Sequence, residues 1–136
     1  MNWRRLPEFM TTILLVDDDS LQASMRKTVL EGRHYDVVRV NYPAEALCLI
    51  EQPQFCAWLG LVVCALHMPG MTGPDFVAEL QERLPRLPVL VLGGRNETAA
   101  DYPGDWVWFL PHAIANSDLQ AAADELMMPC SWKSAS

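Results

Sequence analysis

Near the start of the chain, an apolar run of strand length leads directly into a cluster of carboxylates: Thr12-Ile13-Leu14-Leu15-Val16 is followed by Asp17-Asp18-Asp19-Ser20. An uninterrupted apolar run is typical of a parallel strand that is buried on both faces. Asp19 or Ser20 can cap a following helix, in which apolar side chains recur every fourth residue from Leu21 to Val29. The segment therefore predicts a buried strand, a polar loop at its carboxyl end and a helix.

Segments of strand length alternate with segments of helical period along the rest of the chain. Further apolar runs lie at residues 35–40, 59–66, 88–92 and 106–110, and helical patterns separate them. This alternation is typical of a parallel sheet with right-handed crossovers and helices on both faces. We therefore predict an α/β fold of the (βα)5 type with a doubly wound, five-stranded parallel sheet. In such a sheet ligands bind at the carboxyl ends of the strands, where the aspartates fall.

The stretch between the fourth and fifth strands carries the weakest helical pattern. It offers only a few helix-forming residues before Tyr102-Pro103-Gly104 breaks the pattern. We expect the fourth helix of the (βα)5 pattern to be short, irregular or missing. The surface beside the fifth strand would then be remodelled.

The length and composition indicate one domain. The chain has 136 residues, of which 51% are hydrophobic, and this is enough for a real core. We predict an N-terminal extension over residues 1–10, a domain over residues 11–128 and a C-terminal tail over residues 129–136. The four cysteines lack metal-binding spacing, and we find no signal peptide and no apolar run of membrane-spanning length. We therefore expect a cytoplasmic protein.

The charge balance bears on the class of partner. The net charge is −7, and the ten lysines and arginines are scattered along the chain. Nucleic acids and anionic membranes are bound by clustered basic residues, so the sequence argues against both. Charged residues make up only 20% of the chain, which leaves apolar surface for a protein partner or for a homodimer.

Two motifs, in order and inside the alternating pattern, resemble those of response-regulator receiver domains. The segment from Ile13 to Ser20 resembles the first strand and acidic pair of that family. The segment from Ala65 to Gly73 resembles its phosphorylation-site loop, in which an aspartate and two further residues precede a Met-Pro pair, here Met68-Pro69. The resemblance covers residues 11–126. It implies a flavodoxin-like or CheY-like fold and a role in two-component, phosphorelay signal transduction.

The resemblance also assigns roles to individual positions. The two acidic residues that hold a magnesium ion in the family are matched by Asp17 and Asp18. The phosphate-accepting aspartate, the hydroxyl residue and the lysine of the family are replaced here by Ala65, Gly93 and His112, respectively, and the aromatic switch residue is matched by Phe109.

These replacements remove the family's chemistry. Alanine has no nucleophilic oxygen, so no acyl phosphate can form at Ala65. Because that position also lacks a metal ligand, we expect only a weak or vestigial magnesium site at Asp17 and Asp18, with no other cofactor and no catalytic residue. Gly93 and His112 lack the hydroxyl and the permanent cation that stabilise a phosphoryl group. We therefore expect an atypical receiver, or pseudo-receiver, that is not an enzyme and acts by protein–protein interaction, for example with a component of a histidine-kinase pathway.

Other functions stay open at this point. The vacated pocket near Asp18, Ala65 and Gly93 could hold a small ligand or a metal, which would make the chain a sensor. A residual phosphatase that uses Asp17 or Asp18 as its nucleophile ranks lower, because His112 stands where a lysine partner would be expected. The simplest interpretation of the aspartates is a solvated strand end, and that of Phe109 is a strand residue that packs on the sheet.

Overall fold

The computed structural model describes residues 11–65, 72–93, 98–110 and 115–127. Its strands are β1 (Thr12–Val16), β2 (Asp36–Val40), β3 (Leu59–Ala65), β4 (Val89–Leu92) and β5 (Val107–Leu110). They form one parallel sheet in the order β2-β1-β3-β4-β5. The order changes direction at β1, as in doubly wound sheets, and this confirms the predicted (βα)5 fold.

The sheet lies between two layers of helices. The helices are α1 (Ser20–Glu31), α2 (Pro43–Ile50), α3 (Pro53–Trp58), α4 (Gly73–Arg83) and α5 (Asn116–Leu126). Helices α1 and α5 cover one face of the sheet, where they pack on Ile13 and Leu15 of β1. Helices α2, α3 and α4 cover the other face, where they pack on Leu14 and Val16. The continuous apolar run of β1 therefore supplies both cores, as expected for a strand buried on both faces.

Two helix ends are marked by proline and glycine. Pro53 follows the end of α2 and begins α3, because proline fits the first turn of a helix. Gly32 is the C-cap of α1, and its φ of −63° is right-handed. The left-handed residue of this turn is His34, with φ of 71°.

The connection between β4 and β5 confirms the expected loss of a regular helix in its described part. Residues Ala99–Asp101 form a single turn of 3-10 helix. Tyr102 then inserts into the core beside α4, with only 4% of its surface exposed. Gly104 has φ of 139° and lies against Gln81 of α4, where a side chain at this position would collide with the amide. All four residues of β5, which is an edge strand of the sheet, are partly exposed.

The predicted extension over residues 1–10 and the predicted tail over residues 129–136 lie outside the described residues, so these boundaries stay predictions. Within the described ranges, no helix combines the length and the apolar character that a membrane span requires.

Candidate functional site

The strand register brings three of the predicted site positions to one edge of the sheet. Val16 of β1 pairs with Cys64 of β3, so the residues that follow them, Asp17 and Ala65, lie side by side. Ala65 pairs in turn with Leu92 of β4, and Gly93 comes directly after it. The carboxyl ends of these parallel strands therefore form the site, at the place where doubly wound sheets bind ligands.

The carboxylate of Asp17 is buried and already engaged by the protein. Only 1% of the residue's surface is exposed. Its Oδ1 accepts a hydrogen bond of 3.0 Å from the backbone N–H of Asp19. Its Oδ2 accepts one of 2.7 Å from Nη1 of Arg26, which also makes the contact a salt bridge. A charge-assisted hydrogen bond of this length is among the stronger polar contacts in proteins.

The alternation of β1 explains why Arg26 reaches Asp17. Ile13 and Leu15 face α1, and Asp17 continues this alternation toward the same helix. Arg26 lies on the buried stripe of α1 between Ala23 and Leu30. An arginine is rarely buried unless it is paired, and Asp17 is its partner here.

A second guanidinium reaches the same residue from the neighbouring strand. Nε and Nη2 of Arg39, on β2, donate hydrogen bonds of 3.2 and 3.0 Å to the backbone carbonyl oxygen of Asp17. The backbone N–H of Asp17 donates to the carbonyl oxygen of Val40 at 3.1 Å. Asp17 is therefore held by its backbone as well as by its side chain.

The other two aspartates of the cluster differ from Asp17. Oδ1 of Asp19 accepts hydrogen bonds of 3.1 Å from the backbone N–H groups of Leu21 and Gln22, so Asp19 is the N-cap of α1. Asp18 is half-buried and accepts no hydrogen bond from the described part of the chain. The acidic run thus contains one ion-paired carboxylate, one capping carboxylate and one half-buried carboxylate.

This donor set does not suit a tightly bound divalent cation. Magnesium requires a near-octahedral shell of oxygen ligands, and the carboxylates among them supply the compensating charge. Here Arg26 already balances the charge of Asp17, and Ala65 contributes only a methyl group. Within residues 11–65, 72–93, 98–110 and 115–127, no three acidic, histidine or cysteine side chains are grouped as metal ligands. The weak or vestigial magnesium site at Asp17 and Asp18 stays a prediction.

Gly93 and Phe109 are in direct contact. The ring of Phe109 occupies the space that a Cβ atom would need at Gly93, so alanine cannot be accommodated there unless the ring moves. The backbone N–H of Gly93 donates to the carbonyl oxygen of Leu110 at 2.8 Å, which fixes the glycine against β5. The Phe109 ring also packs on Tyr102, with 5.8 Å between ring centroids. The aromatic residue therefore fills the place of the missing side chain at position 93.

The outcome for the predicted site residues is mixed. Asp17, Ala65 and Gly93 come together, whereas His112 lies outside the described residues. Sequence reasoning missed Arg26 and Arg39. The sequence gives little signal for Arg26, because the apolar repeat of this helix runs from Leu21 to Val29, whereas the buried side chains are Ala23, Arg26 and Leu30.

Comparison with known proteins agrees with this geometry. The family model described as the response regulator receiver domain matches residues 13–102, more than half of the chain. The hydrogenase transcriptional regulatory protein HoxA of Cupriavidus necator is 33% identical over 89 residues, which cover 64% of this chain and 17% of HoxA. The response regulator protein FleR of Pseudomonas aeruginosa is 35% identical over 81 residues, which cover 59% of this chain and 16% of FleR. The chain thus spans less than a fifth of either relative.

Solved structures show the same fold. A response regulator receiver domain protein from Clostridium thermocellum superposes with a TM-score of 0.75 at 22% identity, covering 87% of this chain and 94% of that one. A putative response regulator from Chloroflexus aurantiacus gives a TM-score of 0.74 at 23% identity, covering 87% and 98%. The chain therefore belongs to the response regulator receiver domain family, whose members serve in two-component signalling.

Proposed function

We propose that this chain is a pseudo-receiver that signals by phosphorylation-independent contact with another protein. The observation that carries the proposal is Ala65, which ends β3 beside Asp17. By its resemblance to the family's phosphorylation-site loop, this position corresponds to the phosphate-accepting aspartate. A methyl group offers no nucleophilic oxygen, so the acyl phosphate of ordinary receivers cannot form there.

The surroundings of Ala65 support the same proposal. A phosphoryl group needs hydrogen-bond donors and cations aimed at its oxygens. Gly93 has no hydroxyl to donate, and the ring of Phe109 fills the space beside it. The position of the family's lysine is held by His112, and a histidine is not a permanent cation as a lysine is. The alternative function, a small-ligand or metal sensor, has less support because the ring of Phe109 fills the space beside Gly93 and because Asp17 is already paired with Arg26.

The exposed side of α1 supports a role in protein contact. Leu21 and Met25 are one helical turn apart, and 70% and 47% of their surfaces are exposed. Contiguous apolar patches on a surface favour protein–protein contact, and these two neighbouring side chains can form part of such a patch. We therefore place the contact surface on α1 and infer a cytoplasmic signalling partner, such as a component of a histidine-kinase pathway.

The test is capture of the partner from cells that express the protein natively. The bait is used with and without a low-molecular-weight phosphodonor, and it is compared with the double variant Leu21→Glu/Met25→Glu. The control is Ala78→Glu, which adds negative charge to an exposed position on α4, on the opposite face of the sheet. We expect one partner to be captured equally with and without phosphodonor, to be lost with the α1 variant and to be kept with Ala78→Glu. Capture that requires the phosphodonor would contradict the proposal.

A further inference from the structure

The salt bridge between Arg26 and Asp17 differs from the other ion pairs of the described residues in its burial. The side chains of Arg26 and Asp17 are only 9% and 2% exposed. In the pairs Lys27–Glu31 and Arg33–Asp124 the side chains are 31% to 50% exposed. Exposed pairs of this kind contribute little to stability, whereas a buried charge must be compensated by a partner. The pair at the site is therefore the one whose two charges depend on each other.

The pair lies at the position where the family binds its metal, as the resemblance implies. Asp17 matches one of the acidic residues that hold the metal in the family, and its burial at the end of β1 creates a demand for positive charge. In this chain the demand is met from within, because the guanidinium of α1 lies 2.7 Å from the carboxylate. A metal bound to Asp17 would have to compete with that guanidinium for Oδ2 and would also be repelled by its charge.

We propose that Arg26 is a built-in cation that takes the charge-neutralising place of a divalent metal beside Asp17. The pocket then needs no metal to be stable, and it disfavours one. This inference goes beyond the proposed function, because Arg26 would neutralise Asp17 whether or not the domain signals by contact. Arg39 has a supporting role, since it binds the backbone carbonyl of Asp17 and not the carboxylate.

The test measures Mg²⁺ affinity after the missing carboxylate has been supplied. Ala65→Asp is compared with the double variant Ala65→Asp/Arg26→Met by isothermal titration calorimetry with MgCl₂ at constant ionic strength. Methionine keeps much of the length of the arginine side chain but not its charge. We expect the double variant to bind Mg²⁺ at least about tenfold more tightly, because one positive charge next to the metal is gone. Equal affinities in the two variants would overturn the proposal.

Two matched controls separate charge neutralisation from a general effect of mutation. Ala65→Asp/Arg26→Lys keeps the cation and is expected to bind Mg²⁺ as weakly as Ala65→Asp. Ala65→Asp/Arg39→Met removes a nearby cation that does not touch the carboxylate, and it should increase the affinity clearly less than Arg26→Met does. If Arg39→Met increases the Mg²⁺ affinity as much as Arg26→Met does, Arg26 is not the residue that specifically neutralises Asp17.

The Mg²⁺ titration still tests the proposal if the double variant Ala65→Asp/Arg26→Met is unfolded in the absence of metal. Circular dichroism then follows folding during the MgCl₂ titration, and folding that is driven by Mg²⁺ supports the proposal. A chain that stays unfolded at saturating Mg²⁺ overturns it. Neither result bears on whether the natural chain accepts a phosphoryl group, so a failure here is distinguishable from a failure of the proposed function.

Discussion

The guanidinium of Arg26 and the carboxylate of Asp17 form a salt bridge of 2.7 Å at the carboxyl end of β1, with both side chains at least nine-tenths buried. The resemblance to the family implies that Asp17 is a metal ligand. In the structure its carboxylate is instead paired with an arginine of the same chain. The positive charge beside Asp17 is therefore supplied by the chain itself. Ala65 and the Gly93–Phe109 contact lie at the same edge of the sheet.

The free energy of unfolding should depend on both partners of this pair. Asp17→Asn leaves Arg26 as a buried charge without its partner, and we expect a loss of about 3–5 kcal/mol. The double variant Asp17→Asn/Arg26→Met removes both charges and should recover much of that loss. Urea denaturation of the natural chain, both single variants and the double variant measures the coupling. Additive effects of the two substitutions would show that the charges do not stabilise each other.

The Gly93–Phe109 contact predicts a steric penalty at position 93. Gly93→Ala places a methyl group inside the ring of Phe109, so the ring must move, and we expect a loss of about 1–3 kcal/mol. Added to Phe109→Ala, the same substitution should cost much less, because the obstructing ring is absent. Thermal denaturation of the three variants measures this. The control is Gly32→Ala, where the backbone is right-handed and the nearest atom to a new Cβ is 3.3 Å away, so a smaller loss than at Gly93 is expected. If Gly93→Ala and Gly32→Ala have the same effect, the ring does not occupy that space.

Hydrogen bonds between the residues just before β2 and Asp124 of α5 predict that the free energy of unfolding depends on pH. The hydroxyl of Tyr35 donates a hydrogen bond of 2.6 Å to Oδ1 of Asp124, and Arg33 donates to Oδ2. Partial burial alone would raise the pKa of Asp124, but the hydrogen bonds from Arg33 and Tyr35 outweigh it, so the pKa lies below its ordinary value of 3.8. A carboxyl group whose pKa is lower in the folded chain than in the unfolded chain stabilises the fold at pH values above its unfolded-state pKa. This stabilisation is lost as the pH falls through the folded-state pKa.

The natural chain should therefore be more stable than Asp124→Asn at neutral pH, and the difference should shrink below about pH 4. Tyr35→Phe removes one neutral donor and should cost about 1 kcal/mol at pH 7. Urea denaturation of the natural chain and of both variants between about pH 3 and pH 7 provides both values. A difference between the natural chain and Asp124→Asn that does not change with pH would contradict the assigned role of the carboxylate.

The fold and the position of the site follow from the sequence. The alternation of apolar runs and helical periods predicts the sheet, and the acidic run after β1 predicts the edge at which the site lies. The loss of a regular helix before β5 follows from Tyr102-Pro103-Gly104. Pro53 is ambiguous because proline is suited both to ending one helix and to beginning the next.

The internal contacts of the site could not be predicted in the same way. Arg26 is nine residues from Asp17 in the sequence, and their contact depends on how α1 docks on the sheet. The contact of Gly93 with Phe109 depends on the pairing of β4 with β5 and on the direction of one ring. Such contacts are set by packing between elements, and periodicity carries no information about them.

Restoring the carboxylate alone should not restore switching. Ala65→Asp supplies a nucleophile, but Gly93 still lacks a hydroxyl, Phe109 still fills its space and Arg26 still neutralises Asp17. We expect no change in NMR chemical shifts at β4 and β5 when this variant is treated with acetyl phosphate and Mg²⁺. A phosphodonor-dependent shift that spreads to Phe109 would mean that the pocket keeps more of the family's chemistry than proposed here.

The most direct test of the central claim is the intact mass of the natural chain after incubation with acetyl phosphate and Mg²⁺, with an aspartate-bearing receiver treated in parallel. The account predicts an unchanged mass for this chain, because Ala65 offers no oxygen to the phosphodonor, and a hydroxylamine-sensitive gain of one phosphoryl group for the parallel receiver. The same hydroxylamine-sensitive gain in this chain, mapped to Asp17, Asp18 or any other carboxylate, would contradict it.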